Sequence, residues 1–256
     1  MPGEGPAAGW IERFRERPSR SAIFLDFDGT LSEIVARPEL ATAHPGTARV
    51  LDDLVRAYAT VAVISGRPTE EVRRLVGPAA VKVFGLYGLE DAPDVDQAVK
   101  RRAEDVARAV PGAWVEDKGA SIAVHFRATA DPVKAEAELG PPLTALAGEA
   151  GLVILRGKLV LELVPANTPG KGVVVRREAT RERIERCLFA GDDVADLDAF
   201  DAMDDLRIEG KDTVKVAVRS AGTPSRLLHA ADVVVEGPAG LGGLLSRLVP
   251  DPRSDP

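Results

Sequence analysis

Residues 21–30 read SAIFLDFDGT, an apolar run that ends abruptly in two aspartates. Such a short uninterrupted run predicts a parallel strand that is buried on both faces. Asp26 and Asp28 follow at once, and two carboxylates at the end of a buried strand are costly unless something compensates them. Ligands of open α/β sheets bind at the carboxyl ends of the strands. We therefore predict a parallel sheet with a ligand site at these two aspartates.

Further apolar runs at residues 60–64 and 186–190 predict more strands of this kind, with segments of helical spacing between them. Strands that alternate with helices predict a parallel sheet covered on both faces. Residues 91–165 break this rhythm, because they read as helix, hairpin, helix and hairpin. We therefore predict an α/β fold with a discontinuous core, residues 1–90 and 166–256, and an inserted α+β cap domain.

The composition excludes some partners. The chain has 256 residues and a formal net charge of −7, and this acidic balance disfavours nucleic acid, whose phosphates attract basic proteins. No apolar stretch reaches the roughly 18 residues that a membrane helix needs, and residues 1–10 lack the pattern of a signal peptide. The lone Cys187 excludes an internal disulfide. We expect a cytoplasmic monomer without nucleic-acid or membrane partners.

Four short motifs stand at predicted strand ends or helix starts. They are Asp26 to Thr30, Ser65 after the second strand, Lys171 within Pro169 to Gly172, and Gly191, Asp192 and Asp193 followed by Asp196. Each of the last three has an ordinary explanation when it is taken alone, as a helix cap or a solvated side chain. Together and in this order they resemble the motifs of the haloacid dehalogenase (HAD) superfamily, whose members use an aspartate nucleophile. That resemblance implies a HAD-like Rossmannoid core.

The resemblance also implies a phosphatase that works through an aspartyl-phosphate. Asp26 is the expected nucleophile, and Asp28 is expected to protonate the leaving alkoxide and then to activate water. Lys171 is expected to pair with Asp26 and with the phosphoryl group. A second carboxyl at position 28 favours ester hydrolysis over carbon–halogen chemistry, which needs no such proton. The expected phosphate-binding residues are Ser65, Gly66 and Arg67.

A Mg²⁺ cofactor follows from the same resemblance. A phosphate dianion repels an anionic nucleophile, and Mg²⁺, which prefers oxygen ligands, neutralises that charge. The expected ligands are a carboxylate oxygen of Asp26, the backbone carbonyl of Asp28, and Asp192. Asp193 and Asp196 are expected as outer or alternate ligands.

Three further segments lie in or beside the predicted cap. Residues 85–90 read GLYGLE, residues 116–127 read EDKGASIAVHFR, and residues 157–162 read GKLVLE. These segments resemble the trehalose-6-phosphate phosphatase family. The resemblance implies that a cap closes over the site and reads the leaving group of a sugar phosphate.

The cap segments supply the expected sugar contacts. Alternation along a strand puts His125 and Arg127 on one face, and Lys158 shares a face with Glu162. Carboxylates accept from sugar hydroxyls, and cationic side chains donate to them. An ordinary solvated hairpin face is the competing interpretation. The expected substrate-binding residues are Glu90, Lys118, His125, Arg127, Lys158 and Glu162.

The chain departs from the family pattern at several positions. Tyr87 stands where histidine is frequent, Val164 where arginine is frequent, and Ala195 and Leu197 replace a usual threonine and a common glutamate. Trehalose 6-phosphate is the first substrate hypothesis. The alternatives are sucrose 6-phosphate, a glycosyl phosphoglycerate or a pseudo-disaccharide phosphate. A non-catalytic sugar-phosphate sensor and a phosphomutase are further alternatives.

Overall fold

The computed structural model describes residues 9–35, 37–89, 92–181 and 183–250. The strands of the first sheet, here called the core sheet, are β1 (Ser21–Leu25), β2 (Thr60–Ile64), β3 (Lys82–Phe84), β8 (Arg186–Gly191), β9 (Asp212–Arg219) and β10 (Val233–Glu236). Those of the second sheet, here called the cap sheet, are β4 (Trp114–Asp117), β5 (Ile122–His125), β6 (Leu152–Gly157) and β7 (Val160–Pro165). The helices are α1 (Trp10–Glu16), α2 (Thr47–Ala57), α3 (Thr69–Val76), α4 (Gln97–Arg108), α5 (Pro132–Glu149), α6 (Gly170–Ala179), α7 (Leu197–Ile208), α8 (Ser225–Ala230) and α9 (Gly237–Leu248).

The core sheet is parallel, with the strand order β10-β9-β8-β1-β2-β3. Its central strand β1 is buried on both faces, as its apolar run predicts. Ile23 and Leu25 pack into a core that includes side chains of α1, α2 and α9. Ala22 and Phe24 pack into a second core on the other face, formed with α6 and α7. The predicted α/β class is confirmed.

The carboxyl ends of β8, β1 and β2 meet at the middle of one edge of the core sheet. Because these three strands are neighbours, the residues that follow them come together in space. Asp192 follows β8, Asp26 follows β1, and Ser65 follows β2. The first and last of the four sequence motifs are therefore joined by sheet order, although about 165 residues separate them along the chain.

The cap sheet is antiparallel, with the order β4-β5-β7-β6, and α4 and α5 pack on it. Ile122, Val124 and Leu161 meet Leu139 and Leu143 of α5 in a separate hydrophobic core. This agrees with the predicted sequence of helix, hairpin, helix and hairpin. The domain boundaries themselves stay a prediction. The short helix α8 has no counterpart in the sequence analysis, because six residues are too few to display a helical period.

None of the described helices combines the length and the apolar character that crossing a bilayer requires. The longest of them, α5, contains Pro141 and Pro142 and packs on the cap sheet. The expected location of the protein and its expected lack of membrane and nucleic-acid partners stay predictions.

Replacing Phe189 with alanine is expected to lower the free energy of unfolding by about 3–5 kcal/mol. Phe189 is fully buried, and its ring meets that of Phe200 edge to face, with centroids 6.1 Å apart. Urea unfolding followed by circular dichroism measures the loss. The control Ile208→Ala, at a side chain that is 85% exposed, should change stability by less than about 0.5 kcal/mol. A loss below about 1 kcal/mol for Phe189→Ala would contradict this core.

Candidate active site

A buried lysine links two buried aspartates at the carboxyl edge of the core sheet. Asp26, which is 5% exposed, accepts a hydrogen bond of 2.6 Å at Oδ1 from Lys171 Nζ. Lys171 lies in the first turn of α6 and donates a second bond of 2.6 Å to Asp196 Oδ1. One ammonium thus compensates two carboxylates, and one negative charge is left over.

The Asp196 carboxylate also holds the turn after β8 in place. Its Oδ2 accepts hydrogen bonds of 2.9 Å from the backbone N–H groups of both Asp192 and Asp193. Gly191 is required beside it, because a Cβ there would lie 2.3 Å from the Asp196 carboxyl carbon. Both oxygens of Asp196 are therefore engaged by protein groups. Its observed contacts position Lys171 and the turn after β8.

Carboxylate oxygens of Asp26, Asp192 and Asp196 lie within 4.8 Å of one another. Asp192 Oδ1 is buried and has no hydrogen-bond partner among the residues that the structure describes. Gly29, with φ +84°, packs against this carboxylate so closely that a Cβ there would lie 2.1 Å from Asp192 Oδ2. An unpartnered buried oxygen within an acidic cluster fits a hard divalent cation such as Mg²⁺.

Burial makes these carboxylates hard to ionise. Desolvation raises the pKa of Asp26 to about 7, although Lys171 acts to lower it. Desolvation and the charges of Asp26 and Asp196 also raise the pKa of Asp192 well above its ordinary value. Desolvation lowers the pKa of Lys171, but the two carboxylates outweigh it and raise that pKa well above its ordinary value. A divalent cation in the cluster would favour the ionised aspartates.

Arg67 binds both carboxylate oxygens of Asp28. Its Nε and Nη2 donate hydrogen bonds of 2.6 and 2.7 Å, and its Nη1 contacts Glu71 and donates to the Pro38 carbonyl at 2.9 Å. Burial lowers the pKa of Arg67, but Asp28 and Glu71 raise it above its ordinary value. The guanidinium expected at the phosphate is therefore directed at Asp28, and a phosphate contact by Arg67 stays a prediction.

Ser65 and Gly66 form the turn after β2 beside Asp26. Ser65 is 1% exposed, and its Oγ accepts a hydrogen bond of 3.1 Å from the Arg67 backbone N–H. The Gly66 carbonyl accepts a bond of 3.0 Å from Lys118 Nζ of the cap. This turn therefore contacts the cap through Lys118 and lines the same cavity as Asp26.

Glu162 of β7 is the centre of the cap side of the site. It accepts a hydrogen bond of 2.6 Å from Ser121 Oγ, and Lys118 Nζ lies 3.2 Å from each of its oxygens. Glu162 is 2% exposed, and Lys118 forms an ion pair with it. Because Lys118 also reaches Gly66, it joins the cap to the core.

Lys158 makes a second junction between the cap and the core. Its Nζ donates to Asp192 Oδ2 at 3.1 Å and to Ser220 Oγ at 2.8 Å. Its backbone N–H donates to Asp193 Oδ2 at 2.7 Å. A cap ammonium therefore lies beside the acidic cluster.

His125 is enclosed within the cap. Its ring stacks on Trp114 with centroids 4.0 Å apart, and its Nε2 lies 2.8 Å from Glu116 Oε2. Arg127 Nη2 donates to His125 Nδ1 at 3.3 Å, so Nε2 carries the proton that points at Glu116. Arg127 also donates to the Val35 carbonyl of the core at 2.8 Å. Burial lowers the pKa of His125, although Glu116 opposes this.

The core and cap residues line one cavity of about 110 Å³. Ligand pockets generally measure about 300–1,000 Å³, so this cavity is smaller than a disaccharide phosphate needs. Asp196 lies beneath the cavity rather than on its wall, and Glu90 lies outside the described residues. The predicted residues on the wall are Asp26, Asp28, Ser65, Gly66, Arg67, Lys118, His125, Arg127, Lys158, Glu162, Lys171, Asp192 and Asp193.

Two lining residues with polar side chains, Glu116 and Tyr87, were missed by the sequence analysis. Glu116 lies in β4 and precedes Lys118, the first residue after that strand, by two positions, so strand alternation could have placed it on the same face. Tyr87 also lines the cavity, and only its place within the GLYGLE segment pointed to it.

The model of the trehalose-phosphatase family matches residues 24–93 and 87–230. A trehalose-phosphate phosphatase of Mycobacterium marinum is 32% identical over 250 residues, which cover 90% of this chain and 61% of that protein. An uncharacterized glycosyl hydrolase of Mycobacterium tuberculosis is 37% identical over 206 residues, which cover 72% of this chain and 15% of that protein.

Among solved structures, the C-terminal domain of trehalose-6-phosphate phosphatase from C. albicans superposes with a TM-score of 0.81. The two chains are 20% identical, and the match covers 93% of this chain and 95% of that one. At that identity the likeness shows the fold. The family match extends over most of the chain and includes all four motifs, so the chain belongs to the trehalose-phosphatase family.

Proposed function

We propose that this chain hydrolyses trehalose 6-phosphate to trehalose and inorganic phosphate, with Asp26 as the covalent nucleophile. The observation that carries the proposal is the 2.6 Å bond between Asp26 and Lys171, buried beside two further aspartates under a cationic cap. A nucleophilic carboxylate held against a fixed cation suits attack on a phosphate dianion. The relatives named trehalose-phosphate phosphatase support the choice of substrate.

In the first half-reaction, a carboxylate oxygen of Asp26 forms a bond to phosphorus, and the bond from phosphorus to the sugar oxygen breaks. Lys171 neutralises charge on Asp26 and on the phosphoryl oxygens. Asp28 gives its proton to the departing sugar oxygen. Since Arg67 binds both oxygens of Asp28, one of them must leave the guanidinium when substrate enters.

In the second half-reaction, Asp28 takes a proton from water, and the water oxygen attacks phosphorus to release phosphate and restore Asp26. The residues that would hold Mg²⁺ are Asp26, Asp192 and the Asp28 carbonyl, with Asp193 nearby. When bound, the ion supplies positive charge that favours ionised aspartates and offsets the phosphate dianion.

The cap residues would read the sugar. Glu162 and Glu116 offer acceptors, and Lys118, Lys158 and Arg127 offer donors to sugar hydroxyls. Substrate entry requires the cap to move away, which breaks the contacts of Lys118 with Gly66 and of Lys158 with Asp192. Closure would then exclude water around the reacting phosphate.

The decisive experiment is phosphate release from a panel of sugar phosphates, with and without Mg²⁺. Trehalose 6-phosphate is expected to give the highest kcat/KM, and Asp26→Asn is expected to lower it by on the order of a thousandfold or more. Asp53→Asn, on the exposed face of α2, is the control and should keep full activity. Greater turnover of sucrose 6-phosphate or another glycosyl phosphate would refute the trehalose assignment. Turnover of no ester would favour a sensor.

Magnesium is expected to stabilise the folded protein through Asp192. At about a hundred times Kd, a ligand that binds only the folded state adds about 2.7 kcal/mol of stability. Differential scanning calorimetry compares the protein in Mg²⁺ and in EDTA. We expect the added stability to appear as a higher Tm in Mg²⁺ for the unaltered chain, and we expect no such rise for Asp192→Asn. Asp204→Asn, which removes an acid paired with Lys215 away from the cluster, should retain the full rise. An equal rise in Asp192→Asn would exclude Asp192 as a ligand.

His125 is expected to be neutral at pH 7 and to titrate below the roughly 6.5 of a free imidazole. NMR can follow its ring, assigned among three histidines by the spectrum of His125→Gln. Glu116 raises this pKa, so Glu116→Gln should lower it further. Because the folded pKa lies below the unfolded one, His125 opposes folding as pH falls through the unfolded value. A pKa above 6.5 in the unaltered chain would contradict the enclosed geometry.

A further inference from the structure

Tyr87 occupies a constrained position between the core and the cap. It follows β3, and its φ of 55° and ψ of 28° lie in the left-handed region, as does the φ of 47° of Leu86. Two successive residues other than glycine in this region are strained unless the surroundings hold them. Backbone bonds do so here, since Leu86 N–H donates to the Arg67 carbonyl at 2.9 Å and Tyr87 N–H to the Ser65 carbonyl at 3.1 Å.

This backbone directs the phenol of Tyr87 across the turn after β2. A Cβ on Gly66 would lie 2.4 Å from the Tyr87 hydroxyl, so only glycine at position 66 admits the ring. The hydroxyl reaches Glu162 Oε2 of the cap at 3.4 Å, which is a long hydrogen bond. The side chain of Tyr87 therefore lies between Gly66, in the turn after β2, and the Glu162 carboxylate of the cap.

The Tyr87 hydroxyl is a neutral donor at this place. Burial and the charge of Glu162 raise its pKa well above the ordinary value. Of the cations on the cap side of the cavity, Lys118 pairs with Glu162 and Lys158 with Asp192, while Arg127 donates to the Val35 carbonyl and to His125. A long bond costs little to exchange, so the hydroxyl can turn from Glu162 to an oxygen of an incoming alcohol.

We propose that Tyr87 determines substrate specificity by donating a hydrogen bond to the polyhydroxylated leaving group next to its phosphate, which frees Glu162 Oε2 to accept from a neighbouring hydroxyl. The proposal rests on the proposed phosphatase function and deepens it. A leaving group without hydroxyls gains nothing from either contact. The hydroxyl of Tyr87 therefore matters for a sugar phosphate and not for a simple aryl phosphate.

The test compares Tyr87→Phe with the unaltered chain on two esters, the preferred sugar phosphate of the panel and p-nitrophenyl phosphate. Loss of one hydrogen bond to a buried partner is expected to reduce kcat/KM for the sugar phosphate by roughly tenfold, mainly through KM. Hydrolysis of p-nitrophenyl phosphate should stay within about twofold. Tyr87→His, which restores a ring N–H donor, should recover part of the loss.

The matched control is Tyr58→Phe, at the other tyrosine of the chain. Its hydroxyl donates to the Leu248 carbonyl at 2.8 Å, away from the cavity, so this variant loses the same atom without touching the site. Tyr58→Phe should leave both activities unchanged.

An equal loss on both esters in Tyr87→Phe would assign the residue to loop structure and overturn the proposal, as would no loss on either. These outcomes are separate from failure of the proposed function, which is read from the unaltered chain alone. If that chain hydrolyses both esters and Tyr87→Phe does not discriminate between them, the phosphatase function stands and the role of Tyr87 falls.

Discussion

The site depends on the Lys171 ammonium held between Asp26 and Asp196, with both bonds 2.6 Å long and all three groups nearly enclosed. Without that cation, two buried carboxylates would face each other uncompensated, and breaking a buried pair in this way costs about 3–5 kcal/mol. Asp196 cannot relax, because its other oxygen binds two backbone N–H groups of the turn after β8. Asp26, the turn that carries Asp192 and the start of α6 are therefore held together by a single lysine.

Lysines of the cap compensate part of the negative charge of the acidic cluster. Lys158 reaches Asp192, and Lys118 links Glu162 with the Gly66 carbonyl, so cap cations lie against the acidic floor of the cavity when the cap is closed. The same contacts leave a cavity of about 110 Å³, which suits a phosphate and little more. In the proposed function, the cap opens to admit a sugar phosphate, and contacts with the substrate replace the contacts that Lys158 and Lys118 make with the core.

The sequence alone predicted the parallel sheet and the meeting of Asp26, Ser65 and Asp192, because apolar runs mark buried strands and the carboxyl ends of parallel strands share an edge. It could not predict which cation pairs with which carboxylate. Arg67 was expected at phosphate, and only tertiary packing shows that its Nε and Nη2 bind Asp28. The place of Tyr87 in the site was not predicted for a similar reason. The direction of its side chain is set by the left-handed backbone of Leu86 and Tyr87, which no hydrophobic pattern predicts.

The central claim is that Asp26 itself takes the phosphoryl group. The most direct measurement is to quench the protein during turnover, reduce it with borohydride, and locate the modified residue by peptide mass analysis. Reduction converts an aspartyl-phosphate to homoserine, so the account predicts homoserine at position 26 and unmodified aspartate at positions 28, 192 and 193. Modification at another carboxylate, or sustained turnover with position 26 never modified, would contradict it.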